Sequence, residues 1–255
     1  MKTHKMFLII ASVILILISL LLALSFRFYN CSVEALETRP AFKSGDEIKR
    51  AFLSFDDGPT VYTEDILDLL QAHNAPAIFF LWGERITNDM TQNELLLKRM
   101  LNEGHYIGLH SMNHDYRQLY LEDNSPQEFI TQMIDAQKIV YELTGYLTHL
   151  CRAPYGRMSG FTQAHYNEVA NSKFRCVDWN IDPEDWKNDA DEIFSQLVMQ
   201  IQKLGFPPEL MIVMHDVGEE TIIALPKIIE FLRQYEYFIT PYSPDHEFIF
   251  QNYTF

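Results

Sequence analysis

Along residues 48–239 the chain alternates two kinds of pattern. Short runs with hardly a polar residue (Ala51-Phe52-Leu53, Ala77–Leu81, Tyr106–Leu109, Thr148–Cys151, Phe174–Val177, Leu210–Met214) are separated by longer stretches with apolar residues at helical spacing. Near-continuous apolar runs suit strands covered on both faces. The intervening pattern predicts a helix over Thr63–His73, carried by Ile66, Leu67, Leu69 and Leu70 and stopped by Asn74 and Pro76. Thr91 and Glu94 read as a capping box ahead of Leu95, Leu96, Leu97, Met100 and Leu101, with Gly104 ending that helix. Ser125, Pro126 and Glu128 announce a long helix to Gly145. Further helices are predicted over Phe161–Ala170, from Asp189 with Glu192 to Gly205, and over Thr221–Gln234, with Tyr237-Phe238-Ile239 as a seventh strand. Repeated strand–helix pairs mean an α/β fold with a parallel sheet, and about seven units predict a distorted (β/α)7-8 barrel rather than an open sheet.

The N-terminus breaks this rhythm. Met6 to Phe26 is 21 residues without a charge, preceded by Lys2 and Lys5. That length crosses a hydrocarbon core as one transmembrane helix, and the lysines favour an inside N-terminus. Ala23-Leu24-Ser25 resembles a cleavage site, so the rival is a signal peptide, but the run exceeds the usual signal core. The predicted organisation is 1–26 as membrane anchor or signal segment, 27–47 as linker, and 48–255 as one domain. The predicted location is the cell membrane, single-pass, with that domain extracytoplasmic; secretion after cleavage is the alternative.

Composition narrows the partners. A formal net charge of −15 argues against nucleic-acid backbones and anionic headgroups and leaves neutral sugars open. Hydrophobic residues make up 47% of the chain, ample for a packed core. Cys31, Cys151 and Cys176 show no CxxC spacing, so they make neither a disulfide framework nor a thiolate zinc site. One bridge, Cys151 to Cys176, stays open.

Candidate chemistry sits directly after the predicted strands, where the loops of a βα barrel converge. Ser54-Phe55-Asp56-Asp57-Gly58-Pro59 sets two carboxylates side by side, which repel unless a cation or basic partner is near. The same residues also favour an ordinary turn. His110 and His114, four apart, would stack on one helical turn within reach of one metal. A carboxylate from another loop would complete a three-ligand site with a position open for water. His4, His73, His105, His149, His165 and His246 have no assigned role.

Five segments in order, SerPheAspAspGlyPro, His110-Ser111-Met112-Asn113-His114, Arg152-Ala153-Pro154-Tyr155-Gly156, Asp182-Pro183-Glu184-Asp185-Trp186 and Val213-Met214-His215-Asp216, closely resemble the motifs of polysaccharide deacetylases of the NodB-homology type, carbohydrate esterase family 4. Ser54 stands where Thr is commoner, and Ala153 where Pro is frequent. The resemblance covers roughly residues 48 to 240 and implies the same barrel. It implies that Asp57, His110 and His114 hold a divalent metal, usually zinc, with Co2+ or another ion as alternatives. Asp56 would be the general base, since bound zinc lowers the pKa of its water towards about 7 and a carboxylate can finish the deprotonation. Arg152 would keep Asp56 charged and aimed. His215 would be the general acid that protonates the departing amine, with Asp185 first and Asp182 second as its partner. A backbone N–H of Tyr155 would hold the oxyanion. Trp186, Trp179, Val213 and Tyr155 would line the acetyl pocket, while Trp82 is assigned to core packing. The implied substrate is an N-acetylated polysaccharide, peptidoglycan N-acetylglucosamine first because of the membrane tether; chitin oligomers, exopolysaccharide and acetylated xylan are alternatives. The non-enzyme alternatives are a silent carbohydrate-binding barrel and a metal-stabilised structural protein.

Overall fold

A computed structural model describes residues 48–248. The predicted anchor at 1–26 and linker at 27–47 lie outside the described residues. Among the described residues, no helix is long and apolar enough to cross a membrane.

The elements alternate as the hydrophobic pattern requires. In order they are β1 (Arg50–Asp56), α1 (Thr63–Ala72), β2 (Ala77–Leu81), α2 (Gly83–Asn88), α3 (Met90–Asn102), β3 (Tyr106–Leu109), α4 (Tyr116–Tyr120) and α5 (Ser125–Thr144), followed by β4 (Leu150–Cys151), α6 (Gln163–Asn171), β5 (Arg175–Cys176), α7 (Ala190–Lys203), β6 (Glu209–His215), α8 (Glu219–Gln234) and β7 (Phe238–Ile239). All pairings are parallel, in the order β5-β4-β3-β2-β1-β6, and β7 pairs with the start of β1. The sheet curls: Ile181, just beyond β5, bridges to Ile212 of β6 and draws the two ends together.

Strand alternation then sorts side chains into two sets. Outward residues such as Leu53, Phe55, Phe79, Ile107 and Ile212 pack with Ile66, Leu67, Val140, Leu197 and Ile228 of the helices. Inward residues Phe52, Ile78, Phe80, Leu150, Val177 and Met211 form a second cluster closed by Phe248. Gly108 is inward as well, and a Cβ there would come within 2.5 Å of the Phe80 ring, so only glycine lets β3 curl this tightly. The inward parity continues past the apolar layer into Ser54 and Asp56, His110, Arg152, Trp179, Val213 and His215, which is why a polar cluster crowns an apolar plug.

Several local expectations are corrected. The capping box at Thr91 and Glu94 does not form; α3 starts earlier and Asp89 caps it, accepting from the Gln92 N–H at 3.1 Å. Ser125 lies inside α5, with Asn124 at the cap position. The helix expected from Phe161 starts at Gln163, where Thr162 and the buried His165 form the capping box. Cys151 and Cys176 are register partners on adjacent strands, yet both are free thiols.

Candidate active site

β1 is the axis of the site, because β2 and β6 flank it and deliver their loops beside its last residue. Asp56 is in register with His215 of β6, so both project from neighbouring strand ends on the inward face. At the next position Asp57 has φ 72, which turns its carboxylate out of the strand line towards the β3 loop. The Arg85 side chain donates to the Asp57 carbonyl at 2.7 Å and holds this turn.

His110 continues β3, its N–H bonded to the Leu81 carbonyl at 2.8 Å. His114 does not follow it on a helical turn as the spacing suggested. The segment is a loop in which Ser111 and His114 have φ 65 and 56, and the His114 N–H donates to Ser111 Oγ at 3.0 Å. The reversal brings the imidazoles together all the same, with ring centroids 5.1 Å apart. Asp57 Oδ1 lies 3.5 Å from His110 Nε2 and 3.2 Å from His114 Nε2. These three side chains each offer one ligand atom, all within 4.8 Å of one another.

The donor set fits a cation. Asp57 Oδ1 is buried and finds no hydrogen-bond partner. Burial, outweighing the pull of Asp57, pushes the His110 pKa down to about 3, so the ring is neutral. Burial lowers His114 in the same way. His110 Nδ1 sits 3.0 Å from the Arg152 carbonyl, an acceptor only, so Nδ1 carries the proton and the Nε2 lone pair faces Asp57. Three lone pairs converging on one point without a proton between them suit a metal such as zinc.

Asp56 is almost wholly buried at 2% exposure. Burial raises its pKa, and the Arg152 guanidinium works against that rise. Arg152 is fully enclosed: Nη1 donates to Asp56 Oδ1 at 2.7 Å and to Ser54 Oγ at 2.8 Å, and the guanidinium lies 4.0 Å from the centroid of the Phe80 ring. The Ser54 hydroxyl in turn donates to the Ile212 carbonyl at 2.8 Å. Serine in place of threonine therefore keeps the hydroxyl that this bond needs.

Asp185, rather than Asp182, meets His215. Its Oδ1 is 2.7 Å from His215 Nδ1, and its Oδ2 accepts from the His215 N–H and from Thr221 Oγ1, each at 2.7 Å. Burial pulls the His215 pKa down, but the Asp185 carboxylate overrides it and lifts the value to about 9. Asp182 instead turns back on its own loop and accepts from the Glu184 N–H at 2.9 Å.

Tyr155, Trp179, Trp186 and Val213 line the same cleft of about 450 Å³ as Asp56, Asp57, His110, His114 and His215. Trp186 is 62% exposed at its rim. Trp179 packs over Gly156, where an added Cβ would come within 2.9 Å of the indole and φ is 76. Trp82, expected in the core, instead lies beside the site: its ring centroid is 5.2 Å from that of His114, and Arg85 covers its face. Asp216 had no role assigned. It is fully buried, accepts from Thr63 Oγ1, and burial together with the nearby Asp57 raises its pKa to about 7. Its carbonyl also accepts from Thr60 Oγ1, so it ties the Asp56-Asp57 turn to the β6 exit. Only its place beside His215 could have pointed to it.

A family model described as polysaccharide deacetylase matches residues 43–173. A peptidoglycan-N-acetylglucosamine deacetylase from Bacillus cereus is 34% identical over 219 residues, covering 85% of this chain and 77% of the relative. A chitooligosaccharide deacetylase from Rhizobium leguminosarum is 32% identical over 192 residues, covering 70% and 79%. The crystal structure of the polysaccharide deacetylase Bc1974 from Bacillus cereus superposes with a TM-score of 0.69 at 33% identity, over 78% of this chain and 95% of that one.

Proposed function

Because the chain belongs to the polysaccharide deacetylase family, we propose that it removes N-acetyl groups from a cell-surface glycan, with peptidoglycan N-acetylglucosamine as the substrate. The observation that carries this reading is that the Asp185–His215 pair and the Asp57–His110–His114 set open on one cleft. The named relatives act on peptidoglycan and on chitooligosaccharides, and the charge-free run at 6–26 supports a membrane-anchored, extracytoplasmic domain facing the wall.

A divalent cation, in our reading zinc, held by Asp57, His110 and His114 would supply Lewis-acid polarisation of the acetyl carbonyl and of the attacking water. Asp56 takes the water's proton; its raised pKa makes it a stronger base than an exposed aspartate. Arg152 keeps that carboxylate ionised and fixes its direction. The Tyr155 backbone N–H steadies the oxyanion, and Val213, Trp179 and Trp186 wall the acetyl methyl. His215, protonated up to about pH 9, hands its proton to the amine as the C–N bond breaks. An amine needs that proton far more than an ester's alcohol does, which favours amide cleavage.

This assignment fixes a pH dependence. The acid must be protonated, so the rate falls as pH rises through the His215 pKa. Asp185→Asn removes the carboxylate that lifts it, and the alkaline limb of the pH–rate profile moves to lower pH. An unmoved limb excludes His215 as the acid. The substrate assignment is tested by mass spectrometry of acetate release from peptidoglycan fragments, chitooligosaccharides and acetylated xylan incubated with the full-length chain. Release from N-acetylglucosamine of the wall fragments is the expected result; release from the ester alone refutes the amide reading.

A further inference from the structure

We propose that the Tyr155 hydroxyl is a positioning group for the candidate metal centre: it fixes the tautomer of His114 and turns the Nε2 lone pair towards Asp57. The proposal rests on the reading of Asp57, His110 and His114 as cation ligands, and concerns the phenol rather than the backbone N–H or the pocket wall.

One assignment of protons makes both Tyr155 contacts hydrogen bonds. Tyr155 Oη donates to the His114 carbonyl at 3.1 Å and lies 3.1 Å from His114 Nδ1. A phenol has one proton, and once that proton is on the carbonyl only lone pairs remain to face Nδ1. Nδ1 is then the donor. A neutral imidazole with its proton on Nδ1 has a bare Nε2, and that atom is 3.2 Å from the unpartnered Asp57 Oδ1.

The backbone is bent to make this contact. Tyr155 and His114 both sit in the left-handed region, with φ 63 and 56, which non-glycine residues adopt only where the surroundings hold them. Tyr120 donates to the Pro154 carbonyl at 2.7 Å, and the Tyr116 ring meets Tyr155 edge-on at 5.3 Å. His110 is oriented by the Arg152 carbonyl, three residues earlier in the same loop. One turn after β4 therefore sets both imidazoles and, through the Arg152 guanidinium, the Asp56 carboxylate.

Tyr155→Phe keeps the ring and the backbone N–H and removes only the hydroxyl. Calorimetric titration of metal-free, full-length wild type and Tyr155→Phe with zinc should show the variant binding about 10–100-fold more weakly, the loss expected for an outer-sphere partner of a ligand, with thermal unfolding of the metal-free proteins unchanged. Long-range 15N–1H correlation spectra of the metal-free wild type should show His114 protonated at Nδ1. Equal zinc affinity in a folded variant, or an Nε2-protonated His114 in the wild type, overturns the proposal; should the variant not fold, the wild-type spectrum decides. If the wild type takes up no zinc, it is the cation reading that fails, and the spectrum still reports on the Tyr155 contact.

Discussion

Asp56→Asn lowers kcat by about 10²–10⁴-fold, the usual worth of a positioned general base, and leaves zinc affinity and KM unchanged. The substitution preserves shape in a site where Asp56 is 2% exposed, and the amide oxygen still accepts from Arg152. What it cannot do is take a proton. Asp56 stands beside the ligand set rather than in it, its Oδ2 3.8 Å from His110 Nε2, so metal binding is spared. Steady-state kinetics on an N-acetylated oligosaccharide, paired with a zinc titration, checks both halves; undiminished turnover contradicts the role given to this carboxylate.

Arg152→Met has the second large effect, and it reaches the rate through pKa. The guanidinium is fully buried and is the countercharge to a carboxylate that burial already drives towards its neutral form. Methionine fills much of the stem's volume but leaves that carboxylate unpaired, a defect of about 3–5 kcal/mol while it stays ionised. Asp56 escapes by holding its proton, so its pKa rises further. A base must be ionised, so the acid limb of the pH–rate profile moves to higher pH, and activity at neutral pH collapses and recovers in part under alkaline conditions. A pH–rate profile with denaturant unfolding at neutral pH checks this. An acid limb in its wild-type position would mean that Arg152 does not hold the charge on Asp56.

Much of this arrangement could be read from the chain because it follows from parity. Phe52, Ser54 and Asp56 lie two apart, as do Met211, Val213 and His215, so once the apolar runs are strands of a curled sheet the polar residues after them must share the inward face. The strand–helix alternation and six of the helices were legible because apolar residues recur there at helical spacing between the strand runs. The remaining helices, α2 and α4, span only 6 and 5 residues, too few for a periodic signal. A spacing of four suits both a helical turn and a tight loop, and only the left-handed backbone at Ser111 and His114 decides for the loop. The resemblance ranks Asp185 ahead of Asp182 but offers both; in the fold Asp182 accepts a hydrogen bond from its own turn while Asp185 reaches His215. Trp82 and Asp216 directly follow strands, but their contacts with His114 and Thr63 come from long-range packing, which no local pattern encodes.

The proposed activity requires Asp57, His110 and His114 to act as one cation site. Its most direct test is a calorimetric titration of metal-free, full-length protein with zinc, run on the wild type and on Asp57→Ala. The expected result is one ion per wild-type chain and no uptake by the variant at concentrations that saturate the wild type. A wild type that takes up no ion, or an Asp57→Ala protein that binds as tightly, would contradict it.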